Sequence, residues 1–121
     1  MSIIGLDHIQ IAMPKGEEEK TRHFYGQTLG FEEVDKPAEI RGRGGAWFQA
    51  GPVNLHVGVQ EDFVPARKAH PGFLVESLSD MEAKLEAGGY EFAHEKQIKG
   101  YRRLFTEDPF GNRIELMEKL A

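Results

Sequence analysis

The segment Leu29-Gly30-Phe31-Glu32 returns as Gly88-Gly89-Tyr90-Glu91 within 121 residues, and this near-repeat constrains the fold more than any other feature. These copies lie 59 positions apart (89 − 30), Phe48 is answered by Phe105 at 57 (105 − 48), His8 by His70 at 62 (70 − 8), and His56 by Glu115 again at 59 (115 − 56). A nearly constant offset whose variation falls in loops is the mark of a duplicated unit, and a unit that cannot bury its own sheet face pairs with its copy. A chain of this length is expected to form a single domain, 1–121, with module one over about 3–60 and module two over about 68–118.

Each module reads as β-α-β-β-β. Residues 3–13 alternate, with Ile9 and Ile11 on one face and His8, Gln10 and Ala12 on the other, as in a half-buried strand that Pro14 ends. Glu17 to Glu19 suit the positive end of a helix dipole, and Thr21, Phe24, Tyr25, Thr28 and Leu29 recur at helical spacing up to Gly30. Phe31 to Val34 predicts a short strand, 37–45 a mobile loop, and Ala46–Ala50 with Val53–Val59 a hairpin across Gly51-Pro52. After a polar linker, a strand is expected over 69–76. Ser79 and Glu82 form a capping box, and Gly88-Gly89 supplies the helix stop. Strands follow at 90–92, 102–106 and 113–118, the last after the turn Asp108-Pro109-Phe110-Gly111-Asn112.

In each half one unusual polar residue stands in the first strand and one in the last: His8 and His56, then His70 and Glu115. By alternation each projects from the face opposite its apolar neighbours, the face away from the helices. A lone strand histidine is more often a satisfied polar residue than a ligand. Four such residues in matching places of a repeat, however, make a poor hydrophobic core and a good nest for a divalent ion. The chain has no cysteine, so a metal would be held by histidine nitrogen and carboxylate oxygen alone. His23 and His94 read as ordinary surface residues.

The net charge of −5 argues against nucleic acid or an anionic membrane as partner, since both need basic surfaces. The opening stretch has no basic leader before its short apolar run, and no apolar run nears the roughly 18 residues of a membrane span, so a cytoplasmic protein is expected.

Leu6-Asp7-His8-Ile9, Phe24-Tyr25 through Leu29-Gly30-Phe31, His70-Pro71-Gly72-Phe73, and above all Asp108-Pro109-Phe110-Gly111-Asn112-Arg113-Ile114-Glu115-Leu116 make the chain resemble the vicinal oxygen chelate superfamily along nearly its whole length. That superfamily includes glyoxalase I, the fosfomycin- and bleomycin-resistance proteins and the extradiol dioxygenases. The resemblance implies an α+β fold in which two βαβββ modules form an open, curved mixed sheet, a half-barrel with helices on its outer face. It places His8, His70 and Glu115 at the family's metal-ligand positions, and His56 where glyoxalase I has a carboxylate. One divalent ion, Mn, Ni, Zn or Fe, is the cofactor so implied. With His56 at that position, Glu115 is left as the one carboxylate base.

The resemblance further implies a metal-dependent glyoxalase-like lyase, isomerase or detoxification enzyme for a small, oxygen-chelating, anionic substrate, with the metal acting as Lewis acid. A non-catalytic drug-binding protein of the bleomycin-resistance type and an iron-dependent extradiol-type dioxygenase are the alternatives. Gln10 and Asn54 are expected to face the substrate, with Arg103 to fix an anionic group and Phe105 as an apolar wall. Trp47 is a further candidate wall, although large aromatics more often serve burial in a core or a dimer interface. A homodimer is expected, because an open concave sheet leaves apolar edges for a second chain to cover.

Overall fold

The computed structural model describes residues 2–121. The chain divides into two compact units, Met1–Phe63 and Val64–Ala121, each a four-stranded mixed sheet with a helical segment after its first strand.

In the first unit β1 (Ile9–Met13) starts later than the alternation from Ile3 predicts. Ile3, Ile4 and Leu6 are exposed rather than packed, and the Asn54 amide donates to the Asp7 carbonyl where a strand ladder would otherwise continue. After Pro14 the helical segment opens as α1 (Glu18–Thr21) and widens into a π-helical stretch over Arg22–Thr28. Bonds spanning five residues, such as Leu29 N to Phe24 O at 2.9 Å, open the turn. Two consecutive aromatics, Phe24 and Tyr25, are thereby fully buried together with Thr21. A short β2 (Glu32–Val34) follows. The expected loop contains a 3-10 turn over Ala38–Arg43, and the hairpin β3 (Ala46–Ala50) and β4 (Val53–Val59) has the bounds its sequence predicts. The strand order is β1-β4-β3-β2, with β1 parallel to β4 and the other pairs antiparallel.

The second unit repeats this arrangement: β5 (Gly72–Leu74), α2 (Leu78–Gly88), β6 (Phe92–Ala93), β7 (Tyr101–Glu107) and β8 (Arg113–Lys119), in the order β5-β8-β7-β6. The helix cap is Ser77, whose hydroxyl accepts from Asp80 N, and not the Ser79–Glu82 box; Gly89 closes the helix in the left-handed conformation, as predicted. Leu78, Leu85, Leu104, Ile114 and Leu116 form the buried centre of this unit.

The central strand in each unit positions the site. Leu55-His56-Val57 in β4 and Ile114-Glu115-Leu116 in β8 are buried three in a row, so both faces of these strands are covered. The apolar residues face the helical layer, and one polar residue is buried on the opposite face. Register makes the repeat sharper than sequence similarity does. Trp47 lies opposite His56 and Phe105 opposite Glu115, so the structural counterpart of Phe105 is Trp47 at an offset of 58 (105 − 47), not Phe48. Gln10 lies opposite His56 as Gly72 lies opposite Glu115, which makes His8 and His70, two residues earlier, true counterparts. Both histidines stand just before their strands rather than inside them. No helix among the described residues is long and apolar enough to cross a membrane.

Candidate functional site

The candidate residues are gathered as two sets, one in each unit. In the first unit three rings form a stack. The Trp47 indole lies on the His56 imidazole with centroids 3.6 Å apart and planes 2° from parallel, and His8 lies 4.1 Å from His56 at 20°. The pairing of β3 with β4 sets the first contact, and the entry of the chain into β1 sets the second. Trp47 is therefore half-buried on the ligand face, not lost in the core. Burial, then the nearby His8 charge, pushes the His56 pKa below its ordinary 6.5. Stacked rings carry their nitrogen lone pairs in nearly parallel planes, so His8 and His56 do not converge edge-on upon a common point.

His8 has its Nδ1 against the Asp7 carboxylate at 2.9 Å. Asn54, expected at the substrate, ties Asp7 to β4 through its amide at 3.2 Å. The Gln10 amide lies over Gly58, where an added Cβ would come within 2.7 Å of its nitrogen. Asp7, His8, Gln10, Trp47, Asn54 and His56 lie around the same pocket of the first unit.

In the second unit His70 Nε2 meets Glu115 Oε1 at 3.0 Å, while its Nδ1 faces the Lys68 carbonyl at 2.9 Å. Glu115 is buried, and its Oε2 accepts from Arg103 Nη1 at 3.0 Å. Phe105 packs edge-on against His70 at 5.3 Å. Arg103, expected to grip an anionic ligand, instead grips the candidate ligand carboxylate itself. His94 pairs with Glu82 away from both sets.

The donor chemistry fits a divalent cation. At both His8 and His70 an acceptor lies at Nδ1, so the tautomer that donates from Nδ1 leaves its lone pair on Nε2. A metal-binding histidine is commonly oriented in this way. At His70 that lone pair meets a carboxylate oxygen, and two acceptors can face each other at 3.0 Å only with a proton or a cation between them. Among the described residues no group of three or more histidine, aspartate or glutamate side chains is placed together as a ligand set.

Three participants escape the sequence reading. Asp7 adjoins His8 and could have been found from that adjacency. Arg113, whose guanidinium lies 3.9 Å over the Phe105 ring and pairs with Glu95, is two residues before Glu115 on the same strand face, so alternation carried its signal. The Lys68 carbonyl is backbone and left no signal.

A model of the glyoxalase/bleomycin resistance protein/dioxygenase superfamily matches residues 5–116. Among solved structures, a glyoxalase family protein from Bacillus anthracis is 43% identical, with 99% of this chain and 98% of that one covered and a TM-score of 0.94. The fosfomycin resistance protein FosX from Listeria monocytogenes, in a structure complexed with Mn(II) and sulfate, is 18% identical over 98% of this chain and 93% of its own, with a TM-score of 0.77. A glyoxalase/dioxygenase from Nostoc punctiforme is 19% identical over 100% and 99%, with a TM-score of 0.75. The last two, at such identity, speak for the fold alone. No curated protein matches the chain.

Proposed function

We propose, from the premise that this chain belongs to the glyoxalase/bleomycin resistance protein/dioxygenase superfamily, that it is a metal-dependent, glyoxalase-like lyase, isomerase or detoxification enzyme for a small, oxygen-chelating, anionic substrate. The observation that carries the reading is the His70–Glu115 pair. His70 Nε2 and Glu115 Oε1 lie 3.0 Å apart, a separation that a proton or a cation must bridge, with the other ring nitrogen already against a carbonyl. His8, its Nδ1 against Asp7, is the corresponding candidate donor of the first unit. The ion would be Mn, Ni, Zn or Fe, all compatible with imidazole and carboxylate donors.

When bound, such an ion acts as a Lewis acid that polarises vicinal substrate oxygens. The protein does the rest. Phe105 is the apolar ring packed edge-on against His70. Gln10 offers an amide on the same face of the first unit as His56. Glu115, the one carboxylate at these positions, is the candidate to take and return a substrate proton. His56 belongs to the ring stack behind His8, where Trp47 holds it. This soluble-enzyme reading includes a homodimer in the cytoplasm.

The stack also favours a second reading. With His56 engaged through its face, the chain's candidate donors reduce to His8, His70 and Glu115, the residue types that non-haem iron oxygenases use. Elemental mass spectrometry on protein purified without added metal, together with His8→Ala and Glu115→Ala, tests both. About one ion per chain that either substitution removes is the expected result on a single-site reading. Iron with oxygen uptake selects the oxygenase; manganese, nickel or zinc without it selects the lyase or isomerase. A site that also refuses added ions sinks both and leaves a binding protein.

A further inference from the structure

We infer that Arg103 is a positioning residue that holds Glu115 as a one-oxygen ligand, by occupying Oε2 so that only Oε1 is presented to an ion. This rests on the metal reading of the same site.

The guanidinium is set in place by contacts that do not involve Glu115. Its Nε and Nη2 both donate to the Lys96 carbonyl, at 3.0 and 2.6 Å. The backbone of Arg103 is fastened as well, its N–H donating to Gln97 Oε1 at 3.0 Å and its carbonyl accepting from Gln97 Nε2 at 3.2 Å. Gln97 Nε2 also reaches the Glu95 carbonyl at 2.7 Å, so the segment before β7 is laced to the strand at this one residue. The Phe105 ring lies beneath the guanidinium at 5.1 Å. Arg103 is thus a planar fork fixed on two sides, and its remaining arm, Nη1, meets Glu115 Oε2 at 3.0 Å with both side chains little exposed.

The consequence for Glu115 is geometric. A carboxylate free to rotate can give one or two oxygens to a divalent ion. Here rotation would break a charge-assisted bond to a donor that cannot follow, because its other nitrogens are committed. Oε1 therefore remains towards His70 Nε2, and the coordination position that a second oxygen would fill stays available to substrate.

Two effects of removing Arg103 oppose each other. Loss of a positive charge beside the site should tighten cation binding by simple attraction, whereas loss of orientation should weaken it. The sign of the change separates a positioning role from a merely electrostatic one. Supporting groups of this kind contribute about 10- to 100-fold to metal affinity.

The test is Co2+ binding to the full chain, followed by isothermal titration and by the visible ligand-field spectrum, in wild type, Arg103→Gln and Arg103→Lys. Positioning predicts Co2+ binding about ten-fold weaker or more in Arg103→Gln, partial recovery in Arg103→Lys, and a changed band intensity as the carboxylate alters its mode. Gln97→Ala, which loosens the backbone of Arg103 and keeps its charge, should weaken binding in the same direction and covers the case in which Arg103→Gln does not fold. Equal or tighter binding with an unchanged spectrum in the folded variants overturns the inference and leaves the metal site standing. Failure of wild type to bind Co2+, Mn2+ or Zn2+ overturns the metal reading and this inference with it.

Discussion

Gly45 carries a steric constraint that its neighbours in sequence do not reveal. Its φ is +78°, and a Cβ there would lie 2.2 Å from the Val57 carbonyl oxygen, a backbone atom of the adjacent strand that cannot move aside. Gly51 has a φ of +55° but open space around it. Gly45→Ala should therefore destabilise by about 3 kcal/mol or more, and Gly51→Ala by about 1 kcal/mol, because only the first adds a clash to the strain. Urea denaturation midpoints of the two variants check this ordering. Beside Gly45, the Glu18 carboxylate accepts the Gly45 N–H at 2.8 Å, and that bond, ahead of its other influences, lowers the Glu18 pKa below 4.5. A lowered carboxylate pKa gives stability that is present above pH 4.5 and is lost as pH falls through the folded-state value. Glu18→Gln should flatten the acid side of the stability curve in this window. Acid titration of the melting temperature in both proteins would show it, and parallel curves would refute it.

At the scale of elements, the turn between β7 and β8 is the most tightly organised local structure. Asp108 Oδ1 accepts from the N–H groups of Phe110 and Asn112, both at 2.9 Å, and the Asn112 side chain returns a bond to Asp108 Oδ2. Asn112 Oδ1 also takes the Ala66 N–H at 2.9 Å, which pins the segment before β5 against β8. Both side chains are buried, so Asn112→Ala leaves polar groups without partners and should lower stability by about 2 to 3 kcal/mol, measured by denaturant titration. The helix start offers a contrast. Ser77→Ala removes the bond to Asp80 N and should lower stability by about 1 kcal/mol. Ser79→Ala should have less effect, since the cap is Ser77, and a reversed order would show that the sequence-derived capping box forms in solution. This turn and the hairpin over 46–59 were legible because turn chemistry is local. The late start of β1 was not, because whether Ile3 to Leu6 pair depends on which strand lies alongside, and alternation is silent on that.

At the scale of the whole molecule, the candidate ligands are divided between two units, so metal binding tests whether both serve one site. A ligand that binds only the folded protein stabilises it by about 2.7 kcal/mol at one hundred times its dissociation constant. Added Mn2+ or Zn2+ should raise the melting temperature of wild type. Both His8→Ala, in the first unit, and Glu115→Ala, in the second, should abolish the rise. A rise that survives His8→Ala would mean that the second unit binds the ion alone.

The order of elements, the duplication and the strand face that carries His56 and Glu115 follow from the sequence by itself, because hydrophobic periodicity, turn residues and helix stops act over a few neighbours. The βαβββ order of each module was readable for the same reason, and the resemblance carried by its motifs implied the α+β fold. Tertiary structure alone decided that Trp47 rather than Phe48 faces His56, that Asn54 serves the backbone beside His8, and that Arg103 holds Glu115. Each of these is set by strand register or by a loop reaching back across the sheet. Such contacts run between strands or from a loop to a strand, and no pattern within one strand encodes which of several partners a side chain will meet.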